Sequence, residues 1–132
     1  MNNSILLIDD NPLNNSGYIG ALEGHYNVDV AMRLVSAERL IKSRLYDIII
    51  IDVMMPTQNL TTHDETSTGY SFYYETLKPM LKDQMPIILF WSRLEEESFN
   101  RWFGEHKPDN VFFLHKNEDE DHLLKKIELL LC

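Results

Sequence analysis

Short hydrophobic blocks alternate with amphipathic stretches along the whole chain. Three of the blocks are solidly apolar, which is typical of strands buried on both faces of a parallel sheet that is covered by helices. The block at 28–31 is mixed and therefore favours a place nearer an edge of the sheet. The predicted strands are 4–8, 28–31, 47–51, 87–91 and 111–114.

Between these strands, apolar residues recur at the three- and four-residue spacing of amphipathic helices. Ser36 is the expected cap of the second helix, Pro79 disturbs the third, and Gly104 closes the fourth. The helical stretches lie around residues 14–23, 34–45, 70–77, 94–103 and 123–131. Strands that alternate with helices in this way predict an α/β domain with a doubly wound parallel sheet and right-handed crossovers.

Size and charge narrow the class of protein. The chain has 132 residues, the size of one ordinary domain, and its longest apolar blocks are far too short to span a bilayer. A net charge of −9 repels nucleic acid and anionic lipid. The single cysteine, Cys132, indicates a reducing compartment. We therefore expect one cytoplasmic domain, 1–132, that binds neither nucleic acid nor membrane.

Polar side chains stand directly after the predicted strands, and ligands bind beyond the carboxyl ends of strands in such sheets. Each has an ordinary explanation: Asp10 begins a turn, Ser92 suits a helix start, and Lys116 suits a solvated surface. Asp52 is harder to dismiss because it ends a run of isoleucines. The residues expected to meet on one rim are Asp9, Asp10, Asp52, Ser92, His115 and Lys116.

The combination of these side chains is more specific than any one of them. Clustered carboxylates raise one another's pKa unless a cation lies between them, and oxygen-only ligands suit Mg²⁺. A hydroxyl and an ammonium beside the metal would complete an anion site. Acids, metal and lysine together indicate phosphoryl-transfer chemistry.

Four segments of the chain resemble the successive signatures of response-regulator receiver domains, the phosphoacceptor modules of two-component signalling. The segments are ILLIDD (5–10), DIIIIDVMMP (47–56), PIILFWS (86–92) and FFLHK (112–116). The resemblance covers essentially the whole chain in the right order. It implies a flavodoxin-like, five-stranded parallel sheet in the order 2-1-3-4-5 with helices on both faces.

The resemblance also implies roles for individual residues. Asp52 would accept a phosphoryl group from a partner's phosphohistidine. Asp10, Asp52 and the backbone carbonyl of Met54 would ligate Mg²⁺, with Asp9 acting mainly through a bound water. Lys116 would pair with the phosphoryl oxygens.

Ser92 and Phe113 would form the switch that reports phosphorylation. Ser92 would move to bond the phosphate and Phe113 would turn inward with it, changing the surface of the fourth helix, fifth strand and fifth helix. The implied partners are a sensor histidine kinase or a histidine phosphotransfer protein, then a downstream protein effector. A homodimer could form through the same surface.

One departure from the family is a probable insertion at 57–68, between Pro56 and Gly69, where the connection is longer than such strand-to-helix loops need. It is either a neutral surface excursion or a partner contact or lid. Arg93 is larger than the family's usual small residue and would narrow access to the phosphoryl site.

Three other functions fit parts of the pattern. A Mg²⁺-dependent aspartyl phosphohydrolase would want a second acid two residues after Asp52, where Met54 stands. A flavin-binding module would need a phosphate-cradling loop in place of the acids. A phosphorylation-independent pseudo-receiver would not need the complete acid, hydroxyl and lysine set. The expected function is that of a stand-alone receiver, which is not an enzyme in the ordinary sense.

Overall fold

A computed structural model describes residues 3–54, 68–116 and 119–132. Within them the predicted alternation of strands and helices is confirmed. The strands are β1 (Ser4–Ile8), β2 (Asn27–Ala31), β3 (Ile48–Asp52), β4 (Ile87–Ser92) and β5 (Val111–His115). The helices are α1 (Ser16–Glu23), α2 (Leu34–Ser43), α3 (Thr68–Phe72, continued by Tyr73–Leu77 and Lys78–Leu81), α4 (Glu96–Phe103) and α5 (Glu120–Leu131).

The five strands form one sheet in the order β2-β1-β3-β4-β5, with every neighbouring pair parallel, and this confirms the predicted flavodoxin-like topology. The apolar blocks β1, β3 and β4 are the central strands, and the mixed strand β2 lies at an edge. Ile8, Ile51, Phe90 and Phe113 are in register across the sheet. The residues that follow them therefore meet at the same carboxyl edge.

Helices cover both faces of the sheet, as expected. On one face, apolar side chains of α2, α3 and α4 pack against alternate strand residues such as Leu6 and Phe90. On the other face, α1 and α5 contribute Leu22, Leu123 and Ile127 to a second core. This alternation follows from the two-residue period of strand side chains.

The ends of two helices differ from the prediction. The helix α2 begins at Leu34 with Arg33 as its N-cap, so Ser36 lies inside the helix and the expected Ser36 cap is wrong. The helix also ends before Leu45, which is 84% exposed, because the backbone becomes extended at Arg44. The Arg44 guanidinium there donates to Asp29, a contact from another element that the helical pattern does not encode.

The helix α4 begins at Glu96, so Leu94 precedes it. Gly104 ends this helix as predicted, with a φ of 53° that favours glycine.

Pro79 disturbs α3 as the sequence predicts. The turn Tyr73–Leu77 widens to a π-helix, in which the Lys78 N–H donates to the Tyr73 carbonyl five residues earlier. A regular α-helix would bring the proline ring against the carbonyl four residues before it. The wider turn avoids this clash while Tyr73 and Leu77 stay buried.

Most of the predicted insertion at 57–68 lies outside the described residues. Thr68 is the first residue of α3, and the next residue, Gly69, donates its N–H to the Val53 carbonyl at 3.0 Å. A Cβ at Gly69 would lie 2.9 Å from the Val53 Cα and 3.0 Å from the Asp52 carbonyl oxygen. Glycine is therefore required where α3 passes the end of β3.

Gly69→Ala is expected to lower the free energy of unfolding by about 1–3 kcal/mol, because the added methyl group meets backbone that cannot rotate away. Urea denaturation measures the change. Gly20→Ala is the matched control: a Cβ there meets no atom within 4 Å, and alanine should stabilise α1 by about 0.5–1 kcal/mol. Equal stability of Gly69→Ala and the parent protein would contradict the close approach.

Candidate functional site

Three carboxylates meet at the carboxyl edge of the sheet. Asp9 and Asp10 directly follow β1, and Asp52 is the last residue of β3, the strand beside it. One oxygen from each of the three carboxylates lies within 4.8 Å of the others. Asp9 and Asp52 are buried, whereas Asp10 is exposed. The structure thus brings together the acids that the sequence placed on one rim.

Asp9 is fixed by hydrogen bonds from the turn that follows β1. The Asn15 side-chain amide donates to one Asp9 oxygen at 2.5 Å, and the Asn11 N–H donates to the other at 3.0 Å. Asn15 is itself buried, at the end of the 3-10 turn Pro12–Asn15. Because both Asp9 oxygens already accept hydrogen bonds, this carboxylate is oriented by protein groups before any ligand binds.

Asp52 carries the most perturbed carboxyl group of the site. It is 6% exposed, and one of its oxygens accepts the Met54 N–H at 3.2 Å. The pKa of Asp52 is raised to about 7, mainly by burial; the Lys116 ammonium opposes this rise, and the nearby Asp9 charge adds to it. The removal of Asp52 from water, more than the charge of its neighbours, therefore disfavours its ionised form.

Lys116 is the cation that faces Asp52. It follows β5, and its N–H donates to the Ser92 carbonyl at 2.7 Å, which ties the ends of β4 and β5 together. Its Nζ lies 3.3 Å from Asp52 Oδ2, and its side chain is only 7% exposed. Lys116 is therefore a buried side chain directed at Asp52. The alternative interpretation of Lys116 as a solvated surface lysine is wrong.

Ser92 and Phe113 lie on β4 and β5 and do not line the cavity that opens over the acids. Ser92 is fully buried, and its hydroxyl accepts the Leu94 N–H at 3.0 Å. Phe113 is half-buried and packs against Phe99 of α4, with ring centroids 5.4 Å apart. In this structure the Ser92 hydroxyl is therefore bonded to the chain that leads into α4.

A cavity of about 220 Å³ opens over the acids. The oxygen atoms that line it suit a hard divalent cation. Its two cationic side chains, Arg93 and Lys116, suit an anion beside that cation. The contribution of the asparagines was not predicted from the sequence; the available signal was three asparagines among the five residues directly after the paired acids. The lining residues are Asp9, Asp10, Asn11, Asn14, Asn15, Asp52, Met54, Arg93 and Lys116.

Arg93 is exposed and lines the mouth of this cavity, which agrees with its expected place near the phosphoryl site. His115, the last residue of β5, is not among the lining residues.

None of the helices in the described ranges has the length and apolar character that a membrane crossing needs.

The solved structures with the same fold include response-regulator receiver domains from several organisms. The Francisella response regulator 1452 receiver domain is 23% identical, with coverage of 98% of this chain and 97% of that chain and a TM-score of 0.73. The chemotaxis response regulator CheY4 of Vibrio cholerae is 18% identical, with coverage of 99% and 100% and a TM-score of 0.73. At these identities the likeness shows the fold.

A receiver domain from Methylobacillus flagellatus is 17% identical, with coverage of 98% and 99% and a TM-score of 0.69. No curated protein sequence matches the chain. The model of the response regulator receiver domain family matches residues 5–128, which is nearly the whole chain. The chain therefore belongs to the response regulator receiver family of signalling domains.

Proposed function

We propose that this receiver accepts a phosphoryl group on Asp52 from the phosphohistidine of a sensor histidine kinase or a histidine phosphotransfer protein. The observation that carries the proposal is the placement of a buried Asp52 carboxylate at a cavity, beside two further acids and 3.3 Å from the Lys116 ammonium. A nucleophile, cation ligands and a counter-charge for phosphate are thus present within one site.

In the proposed transfer, an Asp52 carboxylate oxygen forms a bond to phosphorus as the N–P bond of the phosphohistidine breaks. The leaving imidazole keeps the electron pair of that bond, and a proton on its other ring nitrogen leaves it neutral. The Lys116 ammonium faces the transferred oxygens and balances part of their charge. The Met54 N–H fixes the orientation of the attacking carboxylate through its bond to Asp52 Oδ1.

The acidic cluster fits Mg²⁺, because it offers only oxygen ligands and leaves positions for water and phosphate. Asp10, Asp52 and the Met54 backbone carbonyl would hold the ion, and Asp9 would support it from its hydrogen-bonded position. When bound, Mg²⁺ supplies positive charge that offsets the negative charge gathered on the phosphoryl group and the acids.

Ser92 and Phe113 are the proposed switch. A phosphoryl group adds about −1.5 to −2 charges at Asp52 and offers a charged acceptor to the proton of the Ser92 hydroxyl, whose oxygen accepts the Leu94 N–H in this structure. Ser92 would then leave its bond with the Leu94 N–H, next to the start of α4. Phe113 already contacts Phe99 of that helix, so an inward turn of its ring would change the packing of α4 against β5.

The proposed output is a protein contact made through the surface of α4, β5 and α5, with a downstream effector or with a second copy of the chain. The net charge of −9 opposes direct binding to nucleic acid or to an anionic membrane. We place this signalling in the cytoplasm, where the single cysteine stays reduced.

Incubation with acetyl phosphate and Mg²⁺ is expected to add one base-labile phosphoryl group on Asp52, which intact mass spectrometry detects. Asp52→Asn should abolish the adduct because the amide is not a nucleophile. Asp83→Asn, which changes an exposed acid in the turn Lys82–Gln84, should label like the parent. Equal labelling of Asp52→Asn and the parent would refute the assignment, and a parent that never labels would indicate a phosphorylation-independent pseudo-receiver.

Mg²⁺ binding is expected to be weak and to require Asp10, because Mg²⁺ releases its waters reluctantly and the chain offers few ligands. Asp10→Ala should weaken binding in a calorimetric titration at least about tenfold, a loss seen even when only outer-shell groups of a metal site change. Glu96→Ala, which removes an exposed acid in the first turn of α4, should change it little. Small, equal effects of both variants would mean diffuse attraction to an acidic surface.

A further inference from the structure

A buried tryptophan lies directly beneath the Lys116 ammonium. Trp91 pairs in register with Asp52 on one side and with Leu114 on the other. Lys116 stands two residues after Leu114, so its side chain points to the same face of the sheet. The Lys116 Nζ lies 4.7 Å from the centroid of the Trp91 ring, within the range of a cation–π contact.

Tyr18 of α1 contacts both members of this pair. Its ring meets the Trp91 ring edge-on, with centroids 5.0 Å apart and an interplanar angle of 75°. Its hydroxyl donates to the Lys116 backbone carbonyl at 3.2 Å. The backbone and the charged end of Lys116 are therefore each in contact with an aromatic residue.

Lys116 needs such contacts because a lysine side chain has many rotamers and an ammonium is strongly hydrated in water. Here the side chain is 7% exposed and the distance to Asp52 Oδ2 is 3.3 Å, longer than a tight charge-assisted hydrogen bond. The face of an indole ring attracts a cation without competing for the proton donors that a phosphate would use. Trp91 can thus stabilise the ammonium and leave its N–H groups directed at the acids.

We propose that Trp91 and Tyr18 are positioning residues that keep the Lys116 ammonium beside Asp52, ready to pair with the oxygens of an incoming phosphoryl group. The role in phosphorylation rests on the proposed function, whereas the position of Lys116 can be measured in the unmodified protein. If Trp91 only fills the core, any large apolar side chain should serve equally well. If it positions Lys116, a ring face is required.

The position of Lys116 is tested by NMR on the unmodified protein. The Trp91 ring current should shift the Lys116 ε-methylene protons upfield, and Lys116→Met identifies their signal by its loss. Trp91→Phe should keep part of the shift, because it retains a ring face, and Trp91→Leu should abolish it. An unchanged shift in Trp91→Leu would overturn the proposal. This measurement tests the contact between Lys116 and the Trp91 ring and does not depend on phosphorylation; the labelling rates test whether that contact positions the ammonium.

The consequence is tested by the rate at which acetyl phosphate and Mg²⁺ label Asp52. Trp91→Leu should slow labelling about tenfold, with Trp91→Phe in between, because small misplacement of a charge-stabilising group has large effects on rate. Tyr18→Phe keeps the ring, removes the hydroxyl that donates to the Lys116 carbonyl, and should slow labelling about twofold. If Trp91→Leu folds poorly, the labelling rates of Trp91→Phe and Tyr18→Phe test the proposal instead.

Phe112→Leu is the matched control. Phe112 packs against the same core as Trp91, one strand away, and its ring lies near Lys107 and Lys126, not near Lys116. This variant should label at the parental rate. Equal slowing by Phe112→Leu, or parental rates for the Trp91 variants, would overturn the proposal. If the parent itself never labels, the proposed function fails and the ring-current shift alone decides the position of Lys116.

Discussion

The rest of the structure depends on the negative charge that the parallel sheet brings together at its carboxyl edge. Because β1 and β3 are adjacent and Ile8 pairs with Ile51, the next residues along the two strands, Asp9 and Asp52, lie at neighbouring positions. Burial disfavours the charged form of Asp52, and the ammonium of Lys116 compensates only part of the cost. The asparagine bonds to Asp9 and the close approach of Gly69 to the end of β3 hold these groups in place.

Much of this arrangement is predictable from sequence because it follows from local patterns. The apolar blocks determine the strands, and the topology rule for parallel sheets places the acids after β1 and β3 together with Lys116 after β5. The chemistry of a joint carboxylate and lysine site then follows from the residue types alone. The response-regulator resemblance added the order of the strands, which the structure confirms.

The features that sequence reasoning missed depend on contacts between distant parts of the chain. The helix α2 ends at Ser43, where the backbone becomes extended and Arg44 contacts Asp29 of β2, so the helical pattern wrongly extended to Leu45. Asn15 is one of three asparagines in the segment 11–15, and nothing local marks its amide as the partner of Asp9. The contact of Trp91 with Lys116 joins β4 to the end of β5.

The central claim is that the fold buries Asp52 where ionisation of its carboxyl group is less favourable than it is in water. Between about pH 4 and pH 7 the folded protein keeps a proton on Asp52 that the unfolded chain releases, so this group lowers stability as pH rises. The effect on stability is measured by urea unfolding of the parent and of Asp52→Asn from pH 4 to pH 8, in the presence of a metal chelator. The stability advantage of Asp52→Asn should grow with pH, by at most about 1.4 kcal/mol per pH unit, and level off above pH 7. A difference that stays constant or shrinks across this range would contradict the account.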